Sequence, residues 1–148
     1  MSISILIVNR KARFKYHFLE YYVAGIELLG TEVKSIKKKK VNITESFCKI
    51  INGELFSVNM YIAEYEFGKI NNHEPNRIRK LLLNKKELIR INKKLINPGI
   101  TIIPIELFFS KKGYIKMKIV LAKGKKDYDK REILKKKYLT REMKQFFN

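Results

Sequence analysis

Apolar and polar residues alternate through much of the chain, and this period of two predicts strands. Ile3, Ile5 and Ile7 alternate in a short strand or ordered arm, which Asn9-Arg10-Lys11 interrupts as a basic turn. Residues 14–22 are rich in aromatics and predict a strand; Ala24-Gly25 is expected to break it, with apolar character resuming over 26–29. Gly30-Thr31 resembles a helix start, with Thr31 as N-cap and Glu32 in the first turn. That helix turns Val33 and Ile36 inward and ends in the run Lys37-Lys38-Lys39-Lys40, where cations suit the helix dipole.

Residues 46–51 and 55–58 flank Asn52-Gly53 and predict a hairpin, because both turn residues tolerate positive φ. Residues 60–67 form a candidate strand, and the polar stretch 68–79, with Pro75, a loop. Leu88, Ile91 and Leu95 recur at three and four, which predicts a helix over 84–96 stopped by Asn97-Pro98-Gly99. Residues 100–109 and 114–121 form a second hairpin around Lys111-Lys112-Gly113. Ile115, Met117, Ile119 and Leu121 share one face of its second strand, whereas Lys116 and Lys118 point the other way.

After Ala122 the pattern becomes helical and basic, with Leu134, Tyr138, Met143 and Phe146 or Phe147 at roughly helical spacing. The expected architecture is mainly β: a small antiparallel β-barrel over residues 1–122, with two or three short helices. Residues 123–148 form a basic C-terminal tail that becomes helical when bound.

The chain carries 33 Lys plus Arg against 14 Asp plus Glu, a net charge of +19. Residues 1–74 hold 11 basic and 8 acidic side chains, and residues 75–148 hold 22 and 6. Such an excess calls for a polyanion, nucleic acid first and an anionic membrane surface second. A coding bias towards lysine is an alternative source of the total charge, but it does not explain the asymmetry. Cys48 is the only cysteine, which excludes an intrachain disulfide and fits a reducing cytoplasm. There is neither a signal-peptide pattern nor an apolar run long enough to cross a bilayer.

Catalytic chemistry finds little support. No aspartate precedes Asp127, and the close carboxylate pair Glu64 and Glu66 reads as solvated strand residues. His17, His73 and Cys48 lack metal-site spacing, and there is no Gly-rich phosphate loop. No catalytic residue, metal or cofactor is expected. RNA binding, in contrast, needs cations for phosphates and flat groups for unstacked bases. Arg10, Lys11 and Arg13 precede Phe14 and Tyr16; Arg77, Arg79 and Lys80 precede three leucines; Lys125 and Lys126 precede Tyr128. These features fit equally a generic basic RNA-binding barrel associated with the ribosome.

Three ordered blocks narrow the reading. Gly30-Thr31-Glu32-Val33-Lys34-Ser35 is similar to the Gly-x-Glu-Val-Lys-Ser block of the SsrA-binding protein (small protein B) family. Asn72-His73-Glu74-Pro75 with Arg77, Arg79, Lys80, Leu81, Leu82, Leu83 and Asn84 resembles its central signature. Ala122-Lys123-Gly124-Lys125-Lys126 with Asp129-Lys130-Arg131 resembles its C-terminal signature. The resemblance implies a barrel of the oligonucleotide-binding type and a monomeric, non-enzymatic, cytoplasmic role. It implies binding to the tRNA-like domain of tmRNA and delivery to stalled ribosomes for trans-translation, with the tail engaging rRNA at the decoding centre and messenger channel. Leu82 and Asn84 then match tmRNA contacts. Glu32, Lys34, Arg79, Lys80, Arg10 and Lys11 are further candidates for the RNA surface, with a structural role for Glu32 kept open. Lys123, Gly124, Lys125, Lys126, Tyr128, Asp129, Lys130 and Arg131 match the ribosome-engaging tail. Two positions depart from the pattern: Val23 stands where an acidic residue is common, and Tyr128 where histidine is.

Overall fold

The computed structural model describes residues 4–125. Its elements are β1 (Ser4–Val8), α1 (Ala12–Lys15), β2 (Tyr16–Ile26), α2 (Gly30–Lys37), β3 (Val41–Asn42), β4 (Phe47–Ile51) and β5 (Glu54–Val58). There follow β6 (Tyr61–Ile62), a 3-10 turn (Lys69–Asn71), β7 (Arg79–Leu82), α3 (Lys85–Lys94), β8 (Ile100–Phe109) and β9 (Ile115–Gly124). The main sheet has the order β1-β8-β4-β5-β7-β2-β9, and β9 also pairs with β8. The antiparallel sheet therefore closes in a ring through β8, β4, β5, β7, β2 and β9, with β1 as an outer edge on β8. Strands β3 and β6 form a separate two-stranded sheet.

The ring encloses the main core, in which Ala24, Leu55, Ile102, Leu107, Met117, Ile119 and Leu121 are buried together with Ile36 of α2 and Ile91 of α3. Alternation along β9 points Ile115, Met117, Ile119 and Leu121 into it, as expected. The other face of β9 is not uniformly basic. Lys116 and Lys118 are half-buried there, but Val120 and Ala122 pack with Ala12, Ile103 and Ile105 in a second small core. The single turn α1, which the 9–11 turn signal does not reveal, contributes Ala12 to that cluster.

The Asn52-Gly53 hairpin forms as expected, with φ of 51° and 79° at the two residues and Cys48 opposite Ser57 in register. The second hairpin also forms, and β9 continues through Lys123 and Gly124, opposite His17 and Tyr16 of β2. The ordered strand thus runs two residues beyond the start assigned to the tail. Elsewhere the structure departs from the pattern that the sequence predicts. β2 passes through Ala24-Gly25 without interruption, because both residues pair with β9. The strand expected over 60–67 shrinks to Tyr61–Ile62, since the chain then turns into a loop. Leu29, not Thr31, is the N-cap of α2; its backbone N–H donates to Glu32 Oε1 at 2.7 Å. Thr31 instead lies within the helix, 2.9 Å by its Oγ1 from Nδ1 of buried His73. His73 Nε2 lies 2.9 Å from the Ile62 carbonyl, which can only accept. Nε2–H therefore donates to that carbonyl, and the ring ties α2, β6 and the 68–79 loop together. The helix expected in the tail lies outside the described residues.

Candidate nucleic-acid interface

The central signature enters the fold through β7. Strand alternation puts Arg79 and Leu81 inside and Lys80 and Leu82 outside. Arg79 is 0% exposed. Its Nε donates to Glu32 Oε2, Nη1 to the Met60 carbonyl at 2.6 Å and Nη2 to the Pro75 carbonyl at 3.1 Å. Glu32, also 0% exposed, accepts a second cation: Arg77 Nη2 donates to its Oε1 at 2.6 Å. Burial alone would push the Glu32 carboxyl up. The hydrogen bonds from Arg77, the Leu29 backbone and Arg79 outweigh it and hold the group below its ordinary value. Glu32 and Arg79 are thus a buried structural pair, not surface groups that touch RNA in this fold. Its partners are fully satisfied, which is what makes a buried charge tolerable.

The remaining candidates are at the surface. Lys34 is exposed, Lys80 is half-buried and pairs with Glu54 at 3.1 Å, and Leu82 is 47% exposed. Leu82 pairs with Gly25 of β2 and borders a groove of about 510 Å³. Val33 and Lys37 of α2, Phe109 of β8, and Tyr114, Ile115 and Lys116 at the β8–β9 turn also line it. No carboxylate lines this groove among the described residues. Lys37 Nζ lies 5.9 Å from the Phe109 ring centroid, so one cation already sits over an aromatic face. Asn84 is exposed where β7 leads into α3, and it caps that helix: its Oδ1 accepts from the Glu87 N–H at 2.8 Å. Val23 faces Lys118 across the β2–β9 ladder, and Lys118 Nζ lies 4.7 Å from the Tyr21 centroid.

The fold does not place all candidates on one patch. Arg10 and Lys11 are exposed at the turn before α1, where Lys11 lines a separate crevice with Thr44 and Phe47. Lys123 and Gly124 end β9, and Lys125 is half-buried just beyond. Lys126, Tyr128, Asp129, Lys130 and Arg131 lie outside the described residues. Sequence reasoning missed Lys37, Lys116 and Tyr114, which converge only through the fold; the one available signal was Tyr114 following the basic turn. It also missed Tyr65 and Phe67, whose rings meet at 5.6 Å beside α2. Among the described residues there is no cluster of three metal-ligating side chains and no helix long and apolar enough to cross a membrane. Cys48 is buried, and desolvation pushes its thiol far up, which removes thiolate chemistry near neutrality.

A ring-like antiparallel sheet flanked by short helices, with a cationic groove bordered by aromatic and leucine side chains, defines a small β protein whose surface suits a polyanion. The chain belongs to the SmpB protein family, whose model matches residues 6–148. It is 51% identical over 143 residues to the SsrA-binding protein of Phocaeicola vulgatus, spanning 97% of this chain and 95% of that one. It is 48% identical over 142 residues to the SsrA-binding protein of Thermosipho melanesiensis, spanning 96% and 97%. A solved chain described under "tmRNA-SmpB: a journey to the center of the bacterial ribosome" superposes with a TM-score of 0.68 at 48% identity, covering 80% of this chain and 83% of that one. The resemblance carried by the three blocks is borne out by these matches.

Proposed function

We propose that this protein binds the tRNA-like domain of tmRNA and delivers it to stalled ribosomes for trans-translation, as a cytoplasmic, non-enzymatic factor that needs no cofactor. The observation that carries this reading is the likeness to SsrA-binding proteins over nearly the whole chain, 51% identical to one across 97% of this chain. The geometry supports it. Leu82 and Asn84 are exposed within two residues of each other, and Lys37 and Lys116 line the groove beside Leu82. Lys34, Lys80, Arg10 and Lys11 add exposed or half-exposed cations that can meet phosphates. Glu32 and Arg79 act beneath this surface by holding α2 against β7. From Lys123 onward, including Lys126, Tyr128, Lys130 and Arg131, the chain engages rRNA of the decoding centre and messenger channel.

The test is binding of the purified protein to the tRNA-like domain of tmRNA, against an unrelated structured RNA of equal length, across a salt series. A preference kept at physiological salt is the expected result. Equal affinities that fall together as salt rises would leave only phosphate attraction and favour the generic RNA-binding reading.

A further inference from the structure

Beside the groove, α2 and the loop after β6 build a second feature. Tyr65 and Phe67 form an edge-to-face pair with centroids 5.6 Å apart and planes at 71°. Lys34 on α2 and Lys38 at its C-cap lie one turn apart, so both reach the same ring. Each Nζ lies 5.3 Å from the Tyr65 centroid, and Lys38 Nζ is also 5.3 Å from that of Phe67. Two ammonium groups drawn to one ring repel each other, and an anion between them would relieve that repulsion. The nearby carboxylate, Glu66, is exposed and pairs instead with Lys40 at 3.1 Å, in the field of Lys38.

The loop is held, not loosely draped. Asn72 Oδ1 accepts from the Tyr65 N–H at 3.0 Å, and its Nδ2 donates to the Tyr65 carbonyl at 2.7 Å. The Gly68 N–H donates to the same carbonyl at 3.0 Å. A Cβ on Gly68 would lie 2.7 Å from Asn72 Nδ2, so glycine is what allows this closure. Phe67 is left 67% exposed at the tip, with no core to fill.

We propose that Tyr65, Phe67, Lys34 and Lys38 form a stacking platform for one unpaired nucleotide of the tRNA-like domain of tmRNA. Its base stacks on Phe67 and its phosphate sits between Lys34 and Lys38. The choice of RNA follows from α2: Val33 and Lys37 line the Leu82 groove, and Lys34 with the C-cap Lys38 follows one position along on the adjacent stripe. An RNA body that occupies the groove passes beside the platform. This inference rests on the function proposed above and names a further subsite for the same RNA.

The chain contains no tryptophan, so Phe67→Trp installs a single indole at an exposed position, which can be excited selectively over the tyrosines. Titration with the tRNA-like domain is expected to quench its emission in step with binding. Phe67→Ala should weaken affinity about tenfold, within the range for losing one stacked base. Replacing Lys34 and Lys38 together by Ala should flatten the slope of log K against log salt by about 1.5. Glu66→Gln should tighten binding. Unchanged melting temperatures confirm that the variants fold. If the wild type prefers the tRNA-like domain but Phe67→Trp emission and Phe67→Ala affinity do not change, the platform is refuted and the proposed function stands. Quenching by ribosomal subunits or unrelated RNA, and not by the tRNA-like domain, overturns the assignment to this RNA. A wild type without preference refutes the proposed function itself.

Discussion

Glu32 of α2 and Arg79 of β7 form an ion pair in which neither side chain is exposed, 47 residues apart in sequence. The pair joins two of the family's signature blocks inside the protein. Breaking a buried pair from one side leaves an uncompensated charge, which costs about 3–5 kcal/mol. Glu32→Gln, which abandons both Arg79 and Arg77, should lose stability of that order in urea unfolding. A loss below about 1 kcal/mol would show that the carbonyls of Met60, Pro75 and Glu27, which the arginines already bond, suffice to hold both guanidinium groups.

The same pair sets a sign for acid sensitivity. Glu32 has a lowered carboxyl pKa in the fold, so its contribution is complete above the ordinary carboxylate range. The contribution fades as pH falls from about 4.5 through the folded value. Glu20, lowered by its hydrogen bonds to Lys94 and Tyr22, adds in the same direction. Wild-type stability should therefore drop between about pH 5 and pH 3, and Glu32→Gln should show a shallower drop. Parallel profiles for the two proteins would assign the acid sensitivity to other carboxylates.

Lys39 gives a prediction of opposite sign. It follows α2 at φ of +60°, with its N–H donating to the Ile36 carbonyl at 2.8 Å and the Lys40 N–H to the Ser35 carbonyl at 3.0 Å. This is the helix ending that usually takes glycine. Lys39→Gly should stabilise the protein by about 0.5–1 kcal/mol, through relief of left-handed strain. A measured loss would mean that the lysine side chain makes a stabilising contact that outweighs the strain.

The sequence made the strand skeleton legible because period-two alternation and Asn52-Gly53 are local signals. It made the helix at 84–96 legible through Leu88, Ile91 and Leu95. Features made by tertiary contact were not legible. Nothing near Ala24-Gly25 reveals that β9 pairs with both residues and keeps β2 intact. Thr31 has the chemistry of an N-cap, but His73, 42 residues away, claims its hydroxyl. Arg79 and Lys80 look alike in a basic run, and only strand alternation sends one inward and the other to Glu54. The site splits in the same way: Leu82 and Asn84 are readable as a motif, whereas Lys37, Lys116 and Tyr114 meet only when the ring closes.

The body and the tail should separate by truncation. β9 ends at Gly124, so a chain stopped there keeps every described strand. It should bind the tRNA-like domain of tmRNA with wild-type affinity and fail to support tagging in a reconstituted translation reaction. Tagging by the truncated protein would remove the tail from the ribosomal step, and lost RNA binding would place part of the RNA surface beyond Gly124.

Asn84 tests the interface itself, but alanine is the wrong probe. Its Oδ1 caps α3 through the Glu87 N–H, so Asn84→Ala removes a cap worth about 1 kcal/mol along with any RNA contact. Serine caps about as well and lacks the carboxamide. Asn84→Ser should therefore melt within a few degrees of wild type, whereas Asn84→Ala should melt lower by roughly 4 °C. Both should bind the tRNA-like domain more weakly, because both lose the carboxamide at the surface. If serine restores binding along with the melting temperature, Asn84 acts only by holding α3 in place, and Leu82 with the groove cations carries the contact.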